Sequence, residues 1–420
     1  MYYLVRQSGF YLVALYCLLR LYEMLWAQTT FSFMLQIVMA ASACYIGARV
    51  WMLKEEGLSF TLGEQGIAAL LLALIFAVAG QYAFVGSMND LDGIDTFTFT
   101  FNMLANSVFW LFAGASMALC RLRTSLLRAL LLMLAVALIV AHATDESGLF
   151  VNYGKIIEES ELQRLSHLTV AEFAVFLIFI SYVSARRLRV VVFLVGVAVL
   201  FSLGGRSSLY FTIFSVAVYE VLRGGVRLRV FGALTSLAIA IAILFFLALH
   251  FNLLDEDSKF VQQMLFTEGI VQDESYAERQ YINSTALGML TKQVLFGDPT
   301  LIASHYGYIG SYLHNLLSAW QFFGLPTFAV MVALLWASWK RMRVALAESP
   351  SPIVQVGSLL LIYTLVSVIF SKYVGFRFLW VSIGFWMVLP AVDARPVQPR
   401  FRRRKRTRGS SRSVGGHIRA

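Results

Sequence analysis

The 420-residue chain carries 59% apolar and 14% charged side chains, seven prolines and a mean hydropathy of +0.72. Soluble domains hold about 25% charged residues, so a water-soluble enzyme of several domains is excluded and an integral membrane protein is expected. The formal charge of +10 does not point to nucleic acid, because ten of the 34 Lys and Arg lie beyond Asp393, concentrated between Phe401 and Arg408. A basic run after the last apolar segment is a topology signal. It also attracts anionic inner-leaflet lipids, by about 1 kcal/mol per basic residue.

A spanning helix needs about 20 apolar residues. In chain order, apolar windows fall at 7–26, 31–52, 66–86, 97–120, 126–143, 168–184, 190–204, 208–222, 230–250, 313–338, 354–371 and 375–391. The first is full length and lacks a small-residue cleavage site, so it is expected to stay as an anchor. Twelve windows and a cytoplasmic tail place both termini on the inner side. The connections then sort by sign as the positive-inside rule requires. Inner ones carry Arg121, Arg123 and Arg128, then Arg186, Arg187 and Arg189, then Arg223, Arg227 and Arg229, then Lys340, Arg341 and Arg343; outer ones carry Asp90, Asp92 and Asp95, Asp145 to Glu161, and Asp255 to Asp298. Only Lys54-Glu55-Glu56 is ambiguous.

The expected fold is therefore an all-α polytopic membrane protein of about twelve transmembrane helices with one large extracytoplasmic loop. Residues 1–250 hold spans one to nine, 251–312 the loop, 313–391 spans ten to twelve, and 392–420 a basic tail without fixed structure. The loop mixes aromatic residues with charge and is read as a cap of short amphipathic helices.

Topology explains the inner arginines, so the informative cations are those outside: Lys155, Arg164, Arg206, Lys259, Arg279, Lys292, Lys372 and Arg377. Arg206 follows two glycines at a tight turn, where a guanidinium beside freed backbone N–H groups suits a phosphate; the alternative is an interfacial anchor. Arg279 lies in the large loop near glutamates and can equally form a surface ion pair. Lys372 and Arg377 bracket the short turn between the last two spans. His314 opens the tenth span beside Asn315, where a neutral imidazole can take a proton from a hydroxyl or simply cap the helix. His305 is a weaker candidate of the same kind. Arg20 and Glu23, spaced i, i+3 in the first span, are expected to pair with each other. No metal-ligand spacing, Walker loop or Gly-x-Ser-x-Gly elbow occurs, so no cofactor or metal is expected.

The order of these features resembles the bacterial O-antigen polymerase and O-antigen ligase superfamily, the Wzy and WaaL type of membrane glycosyltransferase. The residues that carry the resemblance are Gly205-Arg206-Ser207, Ser275 to Arg279, Phe296-Gly297 and His314-Asn315 to Gly324, within 190–335. Two positions depart from the pattern. Gly205 stands where many members have Ser, and Thr327 stands where the ligases have a second glycine, which favours the polymerases.

The resemblance implies a GT-C-like fold in the bacterial inner membrane and glycans on undecaprenyl diphosphate as donor and acceptor at the periplasmic face. Arg206 and Arg279 would bind the diphosphate with Arg377 and Lys372, and His314 would be the general base. Asn315, Tyr281, His305 and Tyr308 are candidates for contacts to the sugars, and a chain-length regulator is a candidate partner. Two readings compete: a ligase that passes the glycan to lipid A-core or to a protein hydroxyl, and a twelve-span transporter, which would show symmetric halves that this sequence lacks.

Overall fold

The structure is a computed structural model that describes residues 13–22, 25, 63–85, 96–118, 120, 122–144, 151, 167–223, 274–291, 294–306, 313–348 and 350–389. In chain order the helices are α1 Val13–Tyr22, α2 Gly63–Gly80, α3 Thr96–Ala118, α4 Leu126–His142, α5 His167–Ser184, α6 Arg189–Ser202, α7 Arg206–Leu222, α8 Glu274–Leu290, α9 Ala303–Tyr306, α10 Ser318–Ala347, α11 Pro352–Phe370 and α12 Arg377–Val388. Helix α2 continues into a π turn, Gln81–Val85. Every predicted window except 31–52 and 230–250, which lie outside the described residues, overlaps one of these helices, and α10 runs nine residues past the end of its window.

By length and composition three stretches suffice to cross a membrane: Gln65–Ala83, Ser318–Ala347 and Pro352–Phe370. Val13–Tyr22, Leu126–His142, Thr169–Ser184, Arg189–Ser202 and Arg377–Val388 are shorter apolar helices. Large apolar side chains face outward on α2 (Leu72, Ile75, Phe76) and α4 (Leu127, Leu131, Leu138), as on a surface matched to lipid. The opposite pattern marks the centre. Helices α5, α11 and α12 are predominantly apolar and almost wholly buried, with a few buried polar side chains, the signature of a helix enclosed by others. Lipid tails are as apolar as leucine, so such helices associate through close packing. Small residues permit it here: a Cβ at Gly114 or Gly384 would overlap the α12 or α3 backbone respectively.

Neighbouring helices alternate in direction. Near the start of α2, Gly66 faces Leu334 and Met387; at its other end Gln81 reaches Phe322 near the start of α10. In the same way α5, α6, α7 and α11 bring Tyr182, Arg189, Glu220 and Gln355 together at one end. At the other end Val151 N–H donates to the Ser202 carbonyl (3.0 Å).

The large loop 251–312, expected to hold short helices, contains in its described part the 17-residue α8 and the single turn α9. Helix α8 docks on the start of α10 through a small second core of Ile282, Ala286, Leu290, Ile302 and Leu313, covered by Tyr306, Leu317 and Trp320.

Helix α10 is broken at Gly324 (φ 79°, ψ 168°), two residues before Pro326. Proline supplies no N–H to the carbonyl four residues back, which orphans Phe322 O. The break also separates Gln321 O from Leu325 N. The loop segment 294–298 fills the gap: Leu325 N–H donates to Val294 O (2.8 Å) and Asp298 N–H donates to Gln321 O (2.7 Å). Buried Gln81 donates from Nε2 to both Phe322 O (2.5 Å) and Phe296 O (2.7 Å). Irregular backbone inside a bundle of apolar helices is stable only when buried and satisfied in this way. Gly297 (φ 71°) and Gly324 pass so closely that a Cβ on Gly297 would sit 2.6 Å from Gly324 N, and one on Gly324 would overlap the Leu295 carbonyl.

Candidate functional site

The end of the bundle that carries the α10 break also gathers the starts of α5, α7 and α12. Glu172, in the second turn of α5, is 6% exposed. Its Oε1 lies 2.6 Å from Lys372 Nζ and its Oε2 lies 4.0 Å from Arg377 Nη1. The Arg377 guanidinium sits 5.2 Å from the centroid of the Phe173 ring, and Lys372 Nζ lies 5.9 Å from that of Phe376. A cation over an aromatic face gains from the ring quadrupole. Among the described residues, two cations against one carboxylate leave this corner with surplus positive charge.

Arg206 is the first residue of α7, and Gly205 is its N-cap. A Cβ at Gly205 would meet the Ala171 Cβ at 2.7 Å. Glycine at this position, rather than serine, is thus set by the close passage of α5 one residue before Glu172. Two residues into α7, Ser208 Oγ accepts a hydrogen bond from Tyr363 of α11 (3.2 Å), and the Tyr363 ring lies 6.2 Å from that of Phe376. The Ser207 hydroxyl is buried with no hydrogen-bond partner among the described residues.

The turn between α11 and α12 is tied to the start of α10, because Val374 N–H donates to Ser318 Oγ (2.7 Å), which in turn donates to Asn315 O (2.7 Å). Burial raises the Tyr373 phenol above its ordinary pKa; Arg377 opposes the shift and Glu172 reinforces it. Tyr373 therefore stays a neutral phenol beside the cations.

His314 and Asn315 precede α10 rather than opening it, since the helix begins at Ser318. The reason is local. Asn315 Oδ1 accepts the Leu317 N–H (2.9 Å), an Asx turn, and the Ser318 and Ala319 N–H groups bond three residues back, so a tighter turn precedes the α-helix. Leu313 N–H donates to Gln321 Oε1 (3.0 Å), which pins His314 from the other side. His314 is half-buried.

The sequence-derived residues fall as follows. Arg206, His314, Asn315, Lys372 and Arg377 share this end of the bundle. Arg279 lies in α8, three residues before Ile282, the first residue of the second core. Tyr281 is exposed and its ring stands 5.9 Å from that of Tyr306, against which His305 also packs edge-on (5.0 Å). Tyr308, Lys155, Arg164, Lys259, Lys292 and the basic tail lie outside the described residues, as does Glu23 of the expected Arg20 pair. Among the described residues no group of three or more His, Cys, Asp and Glu could hold a metal ion.

Glu172 belongs to no motif and to none of the acidic connecting segments, so the sorting of charge by side passes over it. The signal was present: a lone carboxylate in the apolar window 168–184, costly in a membrane unless paired. Arg189, read in the sequence only as a topology signal, makes specific contacts. It donates to Gln355 Oε1 (3.0 Å), lies 3.6 Å from Glu220 and stacks 5.5 Å from the Tyr182 ring centroid.

Compared with models of known protein families the chain matches none, and comparison with curated proteins finds no match.

Proposed function

We propose that this chain is a polytopic glycosyltransferase of the bacterial inner membrane, with about twelve spans and both termini inside. It polymerises undecaprenyl-diphosphate-linked repeat units at the periplasmic face. What carries the reading is one juxtaposition: the starts of α5, α7 and α12 and the His314-Asn315 turn meet at one end of the bundle, with surplus cationic charge. The physical role found for Phe296, Gly297 and Gly324, which close the loop onto the α10 break, adds support.

The chemistry follows from the charges. An acceptor sugar hydroxyl attacks the anomeric carbon of the donor, and the bond from that carbon to the phosphate oxygen breaks. The lipid diphosphate leaves with the electron pair. Arg206, Arg377 and Arg279 stabilise its growing negative charge; preorganised guanidinium groups do this without reorganisation cost at the moment of reaction. His314 takes the proton of the attacking hydroxyl, a role worth about 10²–10⁴ in rate. Tyr281 and His305, both exposed and packed on Tyr306, are assigned contacts to the sugars.

A deletion strain tests this directly. A polymerase deletion leaves a single repeat on the lipopolysaccharide core. Polymer accumulating on the carrier lipid would instead identify a ligase, and unchanged surface polysaccharide would remove the proposal.

A further inference from the structure

Glu172 divides the labour between two cations that look alike in the sequence. Its contact with Lys372 is a full charge-assisted one: 2.6 Å, with both side chains 8% exposed, just below the usual range of about 2.7–2.9 Å. The Lys372 backbone is fixed as well, its N–H donating to Ser367 O (2.8 Å). Arg377 is held differently. At 4.0 Å from Oε2 it feels the carboxylate without a hydrogen bond, and 26% of its side chain is exposed. Its planar group rests near the ring of Phe173, the residue next to Glu172, an arrangement that leaves N–H edges available for a bidentate anion.

We infer that Glu172 is a positioning residue. It locks Lys372 as a buried counter-ion and tethers Arg377 loosely, so that Arg377 alone is handed to the diphosphate of the lipid-linked donor. This rests on the function proposed above and removes Lys372 from the set of diphosphate ligands. The physical reason is asymmetry of exchange. Arg377 can turn from Glu172 to a phosphate while Lys372 keeps its partner, whereas moving Lys372 would leave Glu172 buried and unpaired, a large cost. With Glu172 neutral, Arg377 keeps its charge and loses its aim.

The test uses the full chain in lipid nanodiscs, with undecaprenyl diphosphate as the binding probe and inorganic pyrophosphate as the lipid-free comparison. Arg377→Met is expected to weaken binding of the lipid diphosphate at least tenfold. The paired variant Glu172→Gln with Lys372→Met removes both charges of the lock, so its thermal melt is expected to stay near the parent's and its affinity within about threefold. In transfer assays on the lipid-linked oligosaccharide, the paired variant is expected to hold KM within threefold while kcat falls at least tenfold; a purely structural role would not produce that split. Binding in the paired variant as weak as in Arg377→Met, with the melt retained, would restore Lys372 as a ligand and overturn the inference. So would unchanged affinity in Arg377→Met, or unchanged kcat in the paired variant. Failure of the parent protein to bind undecaprenyl diphosphate at all would remove the proposed function and this inference together.

Discussion

The two ends of the bundle each shelter a carboxylate between helices, and they treat their arginines in opposite ways. At the end formed by Tyr182, Arg189, Glu220 and Gln355, both terminal nitrogens of the guanidinium are engaged, one donating to Gln355 and the other 3.6 Å from Glu220, and the group stacks on Tyr182; its buried Nε has no hydrogen-bond partner among the described residues. The other members are bound too, Tyr182 donating to Glu220 (2.8 Å), Tyr219 to Gln355 Oε1 (3.0 Å), and Gln355 Nε2 to Pro350 O (2.9 Å). At the Glu172 end one carboxylate faces two cations, and the outer one is held at 4.0 Å. A network in which most groups satisfy one another fixes helix positions; one with surplus charge among the described residues and a loosely held arginine is suited to an anion. The lesson is that an arginine's role in a membrane protein is set by how completely its neighbours use it, not by the side it lies on.

If this contrast holds, substitutions at the Glu172 end should strike chemistry and those at the Arg189 end stability. The largest expected effect is His314→Ala, which should lower transfer about 10²–10⁴-fold with a normal melt; polymer at the parent's level would remove His314 as the base. Next is Gly324→Ala, which forces a side chain into positive φ and onto the Leu295 carbonyl. It should cost about 4 kcal/mol, read as loss of folded protein in detergent, and a parent-like yield would show that the loop does not seal the break. At the Arg189 end, Glu220→Gln should cost about 2 kcal/mol, and adding Arg189→Met should recover part of it. An additive double variant would mean that the two do not interact. The smallest effect concerns Gly205→Ser, which should destabilise by about 1 kcal/mol through overpacking. Ala171→Gly should relieve it, and no relief would place the clash elsewhere.

The positions of the helices were readable because apolar runs bounded by charge are a local signal, and the described helices match those windows closely. The convergence of Arg206, Lys372, Arg377 and His314 was partly readable, since all four fall on one side of the predicted topology. The docking of 294–298 into the α10 break was not. Gly324-Leu325-Pro326 announces a broken helix, but nothing periodic in the sequence says that Val294, Asp298 and Gln81 satisfy its orphaned groups. Asn315 shows the same limit: its type fits a sugar contact, while in the fold its Oδ1 is engaged by Leu317 N–H. Glu172 was hidden by its surroundings, because one carboxylate barely lowers the hydropathy of an otherwise apolar window.

The most direct test of the central claim is reconstitution of the purified chain in proteoliposomes with an undecaprenyl-diphosphate-linked oligosaccharide, followed by separation of the products by length. The account predicts a ladder spaced by whole repeats, formed by the parent and abolished by Arg206→Ala. No ladder from the folded parent, or an undiminished ladder from Arg206→Ala, would contradict it.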